Sequence, residues 1–429
     1  MTKVYYSLYD RLLSPESLQR AFKKVKSNHG KPGVDGQTVE AFAEGLPDEI
    51  VMLVRELRDK SYRPLPVKRV EIAKDGGAGV RLLGIPSVRD RVVQQALLEI
   101  IQPIFDPTFH PSSYGYRPGH SAHQAIAKAE MFIRRYDLCH VVDMDLSRCF
   151  DTLNHELILG GLRKRIADGS ILGLVRQFLQ SGVMVGGRFE EVEEGSPQGG
   201  VISPFLANVY LDAFDQEMKR RGHRIVRYAD DILILTRSKR AAENVLKQAS
   251  QYLEEELKLT VNQQKTEVVY SSDGVKFLGM EICTAYTRIR DKKVCGFKEK
   301  VRKITRRNSP VNLEKVIKDL NPVLRGFANY FKAANCKGVF GALAQWIRRR
   351  LRAKQLKLWK RPKRLHRRLR QLGYKGEFKQ IKMNSWRNAA SPLASMALTN
   401  NHLRELGLFD LSRVRTAATA SYKMRIEWA

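Results

Sequence analysis

Cysteine is scarce in this sequence of 429 residues, and the five cysteines are scattered along it. No two of them form a C-x-x-C pair, and no pair of histidines lies nearby at the spacing of a zinc site, so neither structural zinc nor disulfide bonds are expected. An odd number of thiols within apolar segments is typical of reduced, buried cysteines in a cytoplasmic protein. The five are Cys139, Cys149, Cys283, Cys295 and Cys336.

The sequence also lacks a long apolar run. No segment approaches the roughly 18 apolar residues that a membrane-spanning helix needs. Residues 1–20 have neither the apolar core nor the small-residue cleavage site of a signal peptide. Hydrophobic residues make up 43% of the chain and charged residues 28%, which is ordinary for a globular protein and argues against disorder. At roughly 150 residues per domain, the length predicts two to four domains.

Acidic residues are rare in the last third of the chain, although the whole chain has a net charge of +31. Residues 286–429 contain 37 Lys and Arg against 8 Asp and Glu, a net charge of +29, whereas residues 1–285 contain 39 against 37. Residues 346–370 contain 13 basic residues and no acidic one. A solvated helical surface would mix the two signs. This run therefore indicates a polyanionic partner, and its few apolar residues favour nucleic acid over a membrane.

The hydrophobic pattern predicts helices and strands in one chain. Helices are expected in the first 60 or so residues, one of them beginning with Ser14-Pro15 as N-cap and first helical position. Residues 62–86 predict a β-hairpin around a Gly-rich turn, and residues 90–104 predict a long helix. After residue 279 the chain becomes helical and basic. The pattern as a whole is that of an α+β protein.

Two predicted strand regions carry aspartates. Residues 140–146, HVVDMDL, predict a strand with Asp143 and Asp145 on one face. Residues 224–236 predict two strands joined by a tight turn at 229–231, which contains an Asp-Asp pair. Tyr-x-Asp-Asp alone is a modest signal, and a solvated loop is the ordinary alternative. A hairpin tip, however, is a rigid place to hold two carboxylates that repel each other.

Carboxylates from two strands can converge on a pair of divalent ions. Phosphoryl transfer needs such a pair: one ion lowers the pKa of an attacking 3′-hydroxyl, and the other neutralises the triphosphate and the leaving pyrophosphate. Mg²⁺ prefers hard oxygen ligands of this kind. The strand that contains Asp145 and the turn that contains Asp230 and Asp231 therefore predict a nucleotidyl-transfer site.

Five ordered segments resemble the palm motifs of group II intron reverse transcriptases. Upstream, residues 69–86 and SSYGYRPGHSAHQA resemble the fingers of that family, and GFKEKVRKITRRNS, LRGFANYF and WIRRRLRAKQLKLWKRPKR resemble its thumb, the maturase or X domain. The resemblance covers essentially the whole chain. The five palm segments are VDMDLSRCFD, EGSPQGGVISP, RYADDILIL, VNQQKTEVVY and KFLGM.

The resemblance implies a right-hand polymerase with fingers, a palm built on an antiparallel sheet, a helical thumb and a small basic C-terminal segment. Residues 1–135 would form an N-terminal extension and the fingers, and residues 136–285 the palm, with fingers insertions allowed. Residues 286–360 would form the thumb or maturase X domain, and residues 361–429 a C-terminal basic segment that binds DNA.

The family also implies roles for individual residues. Asp145 and Asp230 would be the principal metal ligands, Asp231 the third catalytic carboxylate, and Leu146 a further member of the metal and nucleotide site. Two Mg²⁺ ions would be bound, with Mn²⁺ able to substitute. Phe150 would pack under the sugar and disfavour a 2′-hydroxyl, because a planar ring leaves no room for the extra oxygen. Without the resemblance, a Phe beside a strand is an ordinary core residue.

Four more residues are assigned through the resemblance. Lys74 and Arg81 flank the predicted hairpin and would grip the triphosphate, although exposed cations on a hairpin often serve solubility alone. Gln198, in a Pro/Gly-rich segment that could be an ordinary turn, would lie against the templating base pair. Lys265 would stand near the leaving group as a general acid. One departure from the family is Ala73, where Pro is usual.

The resemblance further predicts what the protein does and which molecules it binds. It would bind its group II intron RNA, assist splicing, and copy that RNA into DNA during intron mobility, using dNTPs, an RNA template, a DNA primer and target DNA. It would act as a ribonucleoprotein in the prokaryotic cytoplasm, and no membrane is expected among its partners. No endonuclease is expected, because no cysteine follows Cys336 and the only later histidines are His366 and His402.

Two alternatives stay open at this point. One is a non-enzymatic RNA-binding maturase whose polymerase site is vestigial, although all three aspartates are present beside Phe150 and Gln198. The other is a related reverse transcriptase that serves defence or diversification, against which the thumb-like segments count.

Overall fold

A computed structural model describes residues 3–73, 80–186, 188–191, 194–196 and 199–417. The chain forms two units, Met1–Ser271 and Ser272–Ala429, which are described separately below. Among the described helices, none is both long and apolar enough to cross a membrane.

The first unit contains helices packed around two four-stranded sheets. Its helices are α1 Tyr9–Leu12, α2 Pro15–Ser27, α3 Val39–Glu44, α4 Leu46–Arg58, α5 Val88–Phe105, α6 Ala122–Tyr136, α7 His155–Arg163, α8 Gly169–Leu179, α9 Ser203–Arg220 and α10 Lys239–Gln251. Its strands are β1 Val67–Ala73, β2 Val80–Ile85, β3 His140–Met144, β4 Val183–Val185, β5 Arg188–Glu190, β6 Arg224–Tyr228, β7 Asp231–Thr236 and β8 Glu267–Tyr270.

Helix α2 begins as its sequence predicts. The hydroxyl of Ser14 accepts a hydrogen bond from the backbone N–H of Ser17, and Pro15 occupies the first turn, where a missing N–H costs nothing. The apolar residues Leu18, Phe22 and Val25 then recur at helical spacing and are buried. This face of α2 packs into the main core of the first unit.

The predicted hairpin is formed by β1 and β2, which pair antiparallel from Lys68↔Ile85 to Ala73↔Val80. Strand β4 joins the same sheet from much later in the chain and runs parallel to β1, with Val67 opposite Val183. The sheet therefore has the order β2-β1-β4-β5. The hairpin was predictable from local pattern, whereas the β1–β4 pairing joins segments more than 100 residues apart.

The central sheet of the first unit has the order β6-β7-β3-β8 and is antiparallel throughout. Its middle strands are apolar and buried, which is why they read as nearly continuous hydrophobic runs. The sequence prediction differs from the structure at two ends: β3 stops at Met144, before Asp145, and Asp231 opens β7 opposite Tyr228 instead of belonging to the turn.

A buried ion pair joins α9 to β6. The side chains of Arg227 and Asp215 are both fully buried. Arg227 donates from Nε to both carboxylate oxygens, at 2.9 and 2.8 Å, and from Nη2 to Oδ2 at 2.6 Å. Several charge-assisted hydrogen bonds satisfy both groups, which is the condition under which two charges are tolerated in an apolar interior.

The second unit begins with a three-stranded antiparallel sheet of order β11-β10-β9, followed by helices. Segments after residue 361 share an apolar cluster with the end of α13, in which Leu356, Leu365 and Leu369 are fully buried. The strands are β9 Val275–Phe277, β10 Met280–Ile282 and β11 Thr287–Ile289; the helices are α11 Asp291–Ile304, α12 Leu313–Phe331, α13 Lys337–Trp359, α14 Pro362–Gln371, α15 Pro392–Ala397 and α16 Asn400–Glu405.

We predict that Asp215→Ala lowers the free energy of unfolding by about 3–5 kcal/mol, because it leaves the Arg227 charge buried without its partner. Urea denaturation of the full chain measures the change. The double variant Arg227→Met, Asp215→Leu should recover a large part of the loss, since it removes both charges together. Glu243→Ala, which breaks the exposed pair with Lys239, is the control and should change stability by less than about 1 kcal/mol. Equal losses of stability in Asp215→Ala and Glu243→Ala would contradict the prediction.

Candidate functional site

Three aspartates lie at one edge of the central sheet. Strand β3 pairs with β7 through Met144↔Ile232, so continuing that register by one residue places Asp145 opposite Asp231. The hairpin of β6 and β7 closes with Tyr228↔Asp231, which leaves Ala229 and Asp230 as its two-residue tip. The backbone thus brings the three predicted carboxylates to one place, although Asp145 is 85 residues before Asp230.

The side chains do not converge to the same degree. Over the residues that the structure describes, no three Asp, Glu, His or Cys side chains form a group that could hold a metal ion. Asp145 Oδ2 instead accepts hydrogen bonds from Lys265 Nζ at 2.9 Å and from Asn262 Nδ2 at 3.1 Å. The donor set, carboxylate oxygens only, suits a hard cation such as Mg²⁺. In this structure the cation that contacts Asp145 is the ammonium group of Lys265.

The segment around Lys265 also holds the backbone of Asp145. Asn262 N–H donates to the Asp145 carbonyl at 2.9 Å, and Asp145 N–H donates to Thr266 Oγ1 at 3.3 Å. Leu146 continues this contact through an isolated bridge to Val261. The sequence motif predicted a role for Lys265 but not for Asn262 or Thr266. In the sequence these two residues are marked only by lying within three positions of Lys265.

Arg227 supports the hairpin tip from below. Besides its bonds to Asp215, its Nη1 donates to the Ala229 carbonyl at 3.0 Å and to Asn208 Oδ1 at 2.9 Å. Ala229 has a left-handed backbone with φ of 57°, which is uncommon for a residue with a Cβ. The sequence motifs did not predict a role in the site for Arg227, Asp215 or Asn208. The available signal was a charged residue at an inward position of an apolar strand, which is buried only when it has a partner.

Gly115 packs directly on the hairpin tip. A Cβ at this position would overlap the backbone nitrogen of Ala229 and lie 3.0 Å from its Cα. The Gly115 carbonyl accepts a hydrogen bond from Asn208 Nδ2 at 2.8 Å, so the contact is held on both sides. A glycine is required here because only a residue without a side chain permits this approach.

Phe150 lies five residues after Asp145, in a short 3₁₀ turn, Cys149–Asp151. Its ring is half-buried and packs against the main core, and it makes an edge-on contact with the ring of Tyr116 at 6.5 Å between centroids. The preceding residue, Cys149, is buried. Its pKa is raised to about 12 by burial and secondarily by the charge of Asp230, so the thiol stays protonated and is no nucleophile.

The Pro/Gly-rich motif is bound to the same turn. Ser196 N–H donates to the Phe150 carbonyl at 2.7 Å, and Gly195 N–H donates to the Leu153 carbonyl at 2.8 Å. Gly195 has φ of +93°, and a Cβ on it would lie 3.0 Å from the Cα of Asp151. Gly195 and Ser196 begin the motif that was predicted to contact the templating base pair. They therefore lie against the turn that contains Phe150, the residue predicted to pack under the sugar.

Three predicted residues receive little or no structural description. Lys74 and Gln198 lie outside the described residues. Arg81 lies in β2, where its backbone is opposite Ile72. Their assignments stay predictions, as do the metal and catalytic roles of Asp145, Leu146, Asp230 and Asp231.

The antiparallel sheet, with Asp145 directly after β3 and Asp230 at the adjacent hairpin tip, has the arrangement expected of the palm of a nucleic-acid polymerase. Residues 72–282 match the family "Reverse transcriptase (RNA-dependent DNA polymerase)", and residues 294–373 match "Group II intron, maturase-specific domain". The chain belongs to the family of reverse transcriptases that carry a group II intron maturase-specific domain.

Similar proteins agree with this assignment. Protein YkfC of Escherichia coli (strain K12) is 34% identical over 322 residues, which cover 66% of this chain and 84% of YkfC. The group II intron-encoded protein LtrA of Lactococcus lactis subsp. cremoris is 28% identical over 348 residues, which cover 65% of this chain and 57% of LtrA. A solved structure of telomerase from Candida albicans covers 72% of this chain and 63% of that chain, with 14% identity and a TM-score of 0.44. At that TM-score the likeness adds nothing to the assignment.

The family matches confirm the predicted family and the enzyme class, an RNA-directed DNA polymerase. The described helices and mainly antiparallel sheets confirm the α+β fold class. The predicted boundaries at residues 135, 285 and 360 stay predictions, and so does the expected absence of an endonuclease.

We predict that Gly115→Ala lowers the rate of DNA synthesis per folded molecule by roughly 100-fold. The added methyl group must push the Ala229-Asp230 tip away from its position, and a displacement on the order of 1 Å at a catalytic group has effects of this size. Single-turnover primer extension measures the rate. Gly160→Ala in α7, where a Cβ would meet no atom within 4 Å, is the control. Normal extension by Gly115→Ala would show that the contact does not position the tip.

Proposed function

We propose that this protein copies a group II intron RNA into DNA at the sheet edge of Asp145, Asp230 and Asp231, and that it binds the same RNA to assist its splicing. One observation carries the polymerase half: aspartates far apart in sequence meet at the end of a sheet in a chain of the reverse transcriptase family. The maturase-specific match over residues 294–373 supports the RNA half.

Reverse transcriptases generally use divalent metal ions. We assign two Mg²⁺ ions, with Mn²⁺ as a substitute, to the carboxylates of Asp145, Asp230 and Asp231. The Leu146 side chain is hydrocarbon and buried, so only its backbone carbonyl could serve as a ligand. When bound, such ions activate a 3′-hydroxyl and neutralise the charge of a departing pyrophosphate. The Lys265–Asp145 ion pair would have to open, and both partners are exposed enough to do so.

The other assigned residues would act on the substrates. The ring of Phe150 would exclude a 2′-hydroxyl from the incoming dNTP. Lys74 and Arg81 would hold the triphosphate, and Gln198 would contact the templating pair. Lys265 would donate its Nζ proton to the leaving pyrophosphate once released from Asp145.

The second unit supports RNA binding through a cluster of arginines around two tryptophans. The guanidinium groups of Arg302 and Arg350 lie 5.8 and 5.3 Å from the ring centroid of Trp346. Around Trp386 the distances are 5.9 Å for Arg307 and 5.6 Å for Arg350. Burial and the nearby charges of Arg302 and Arg307 lower the pKa of Arg350. Cations crowded in this way repel each other, so a phosphate backbone would relieve the repulsion.

We further propose that the enzyme works as a ribonucleoprotein in the prokaryotic cytoplasm, with target DNA bound by the segment after residue 361. Residues 1–135, 136–285 and 286–360 would serve as fingers, palm and thumb.

We predict that the purified full chain extends a DNA primer on an RNA template with dNTPs and Mg²⁺, and that Asp145→Asn or Asp230→Asn each lowers the rate by roughly a thousandfold or more. An amide keeps the shape of the side chain but removes the charge that would bind a cation, which is worth several kcal/mol in the transition state. Asp59→Asn, at an exposed helix end, is the control.

Activity that survives either of the first two substitutions would contradict the site assignment. An unmodified chain that binds and helps to splice the RNA without extending primers would instead favour the non-enzymatic maturase.

We also predict that the double variant Arg302→Gln, Arg307→Gln binds a structured group II intron RNA about three- to tenfold more weakly, with a shallower salt dependence. Each lost phosphate contact should reduce the slope of log K against log salt by roughly 0.7–0.9. Fluorescence anisotropy over a range of KCl concentrations measures both quantities. The control, Lys23→Gln with Lys26→Gln, removes the same charge from α2 of the first unit. Equal losses in both variants would mean that net charge, and not the arginine cluster, governs binding.

A further inference from the structure

Tyr116 is an exposed aromatic residue beside the candidate active site, and none of the roles above uses it. Its side chain is 54% exposed, yet its ring meets the Phe150 ring edge-on, with the two planes at 83° and the centroids 6.5 Å apart. Edge-to-face pairs of this kind are attractive and directional. Phe150 therefore has a neighbour that limits the orientation of its ring from the solvent side.

The chain before Tyr116 is fixed to the aspartate hairpin. Arg227 N–H donates to the Ser112 carbonyl at 2.9 Å, and Tyr114 N–H donates to the Arg227 carbonyl at 2.9 Å, so this segment pairs with β6 like a short extra strand. Gly115 then packs on Ala229 and is held by Asn208. The position of Tyr116 is thus tied to the same hairpin that carries Asp230.

The chain after Tyr116 is fixed as well. Arg117 is buried and donates to the carbonyls of His110 and Ser113, at 3.0 and 2.8 Å, and to Asp106 through both its carboxylate and its carbonyl. Such a fork of hydrogen bonds fixes the residue on which it is centred. Tyr116 is therefore an exposed side chain between two rigid neighbours.

The backbone of Tyr116 is in the left-handed region, with φ of 57°. For a bulky residue this conformation costs on the order of 1 kcal/mol or more and persists only where the surroundings enforce it. Glycine or asparagine would adopt it more easily. An aromatic residue nevertheless occupies this position, and its ring contacts Phe150.

We propose that Tyr116 is a positioning residue for sugar selection: it holds the Phe150 ring in the orientation that rejects a 2′-hydroxyl. This inference rests on the proposed role of Phe150. Tyr116 needs no hydroxyl for this purpose, because the contact is between the two rings. Removing the ring should let Phe150 rotate and admit ribonucleotides, while the aspartates keep their places.

The test is single-nucleotide extension of a DNA primer on an RNA template, with kcat/KM measured for a dNTP and for the matching rNTP. Tyr116→Ala and Tyr116→Leu should each lower the ratio of the two by roughly three- to tenfold, the size of one aromatic contact. Tyr116→Phe should restore the ratio of the unmodified chain. Tyr136→Ala, which removes an equally exposed ring that contacts Phe132, should leave it unchanged.

A double-mutant cycle separates this inference from the proposed role of Phe150. Phe150→Ala should lower the ratio further than Tyr116→Ala, and the double variant should match Phe150→Ala alone, because Tyr116 acts through that ring. Additive losses, or an unchanged ratio in Tyr116→Ala and Tyr116→Leu, would overturn the role of Tyr116 while leaving that of Phe150 intact. An unchanged ratio in Phe150→Ala would overturn both.

Discussion

The buried ion pair of Arg227 and Asp215 is the interaction on which the candidate site depends most. A charge without a partner is not tolerated at full burial, so the position of Arg227 is set by the carboxylate that α9 provides. From that position it bonds the Ala229 carbonyl, and its own backbone pairs with the segment that contains Gly115. Arg227 thereby connects helix α9, the tip of the β6–β7 hairpin and the loop that contains Gly115.

Electrostatics of a different kind governs the aspartates. Three carboxylates at one end of the sheet repel each other, and in the described structure the ammonium group of Lys265 offsets part of this repulsion at Asp145. The buried thiol of Cys149 carries no charge and offsets none of it. The lysine side chain is exposed and flexible, whereas the thiol is part of the core.

The second unit shows the reverse imbalance, an excess of cations with few acidic partners. Apolar clusters such as that of Leu356, Leu365 and Leu369 provide packing in this unit, and a partly buried ion pair joins Arg348 to Asp410. The guanidinium groups of Arg350 and Arg349 lie 5.3 and 5.0 Å from the ring centroids of Trp346 and Trp386. The apolar packing and the arginine cluster thus involve different residues of α13, such as Leu356 and Arg350.

The sequence by itself determined the local elements and the family. The N-cap at Ser14, the β1–β2 hairpin and the strand–turn–strand around Asp230 follow from patterns within a few residues, and the ordered motifs identified the family. The charge asymmetry of the last third needs no structure at all. Small differences at element ends, such as Asp231 opening β7, arise because pairing across the sheet decides where a strand begins.

Only the tertiary structure decided which residues surround that chemistry. The contact of Lys265 with Asp145 spans 120 positions, that of Asn208 with Gly115 spans 93, and the parallel pairing of β1 with β4 joins distant segments. Such contacts depend on how whole elements pack, and no local preference of Asn208, Gly115 or Tyr116 encodes them. The aspartates could be predicted from the sequence because their motif is short, whereas the contacts that position them are visible only in the folded structure.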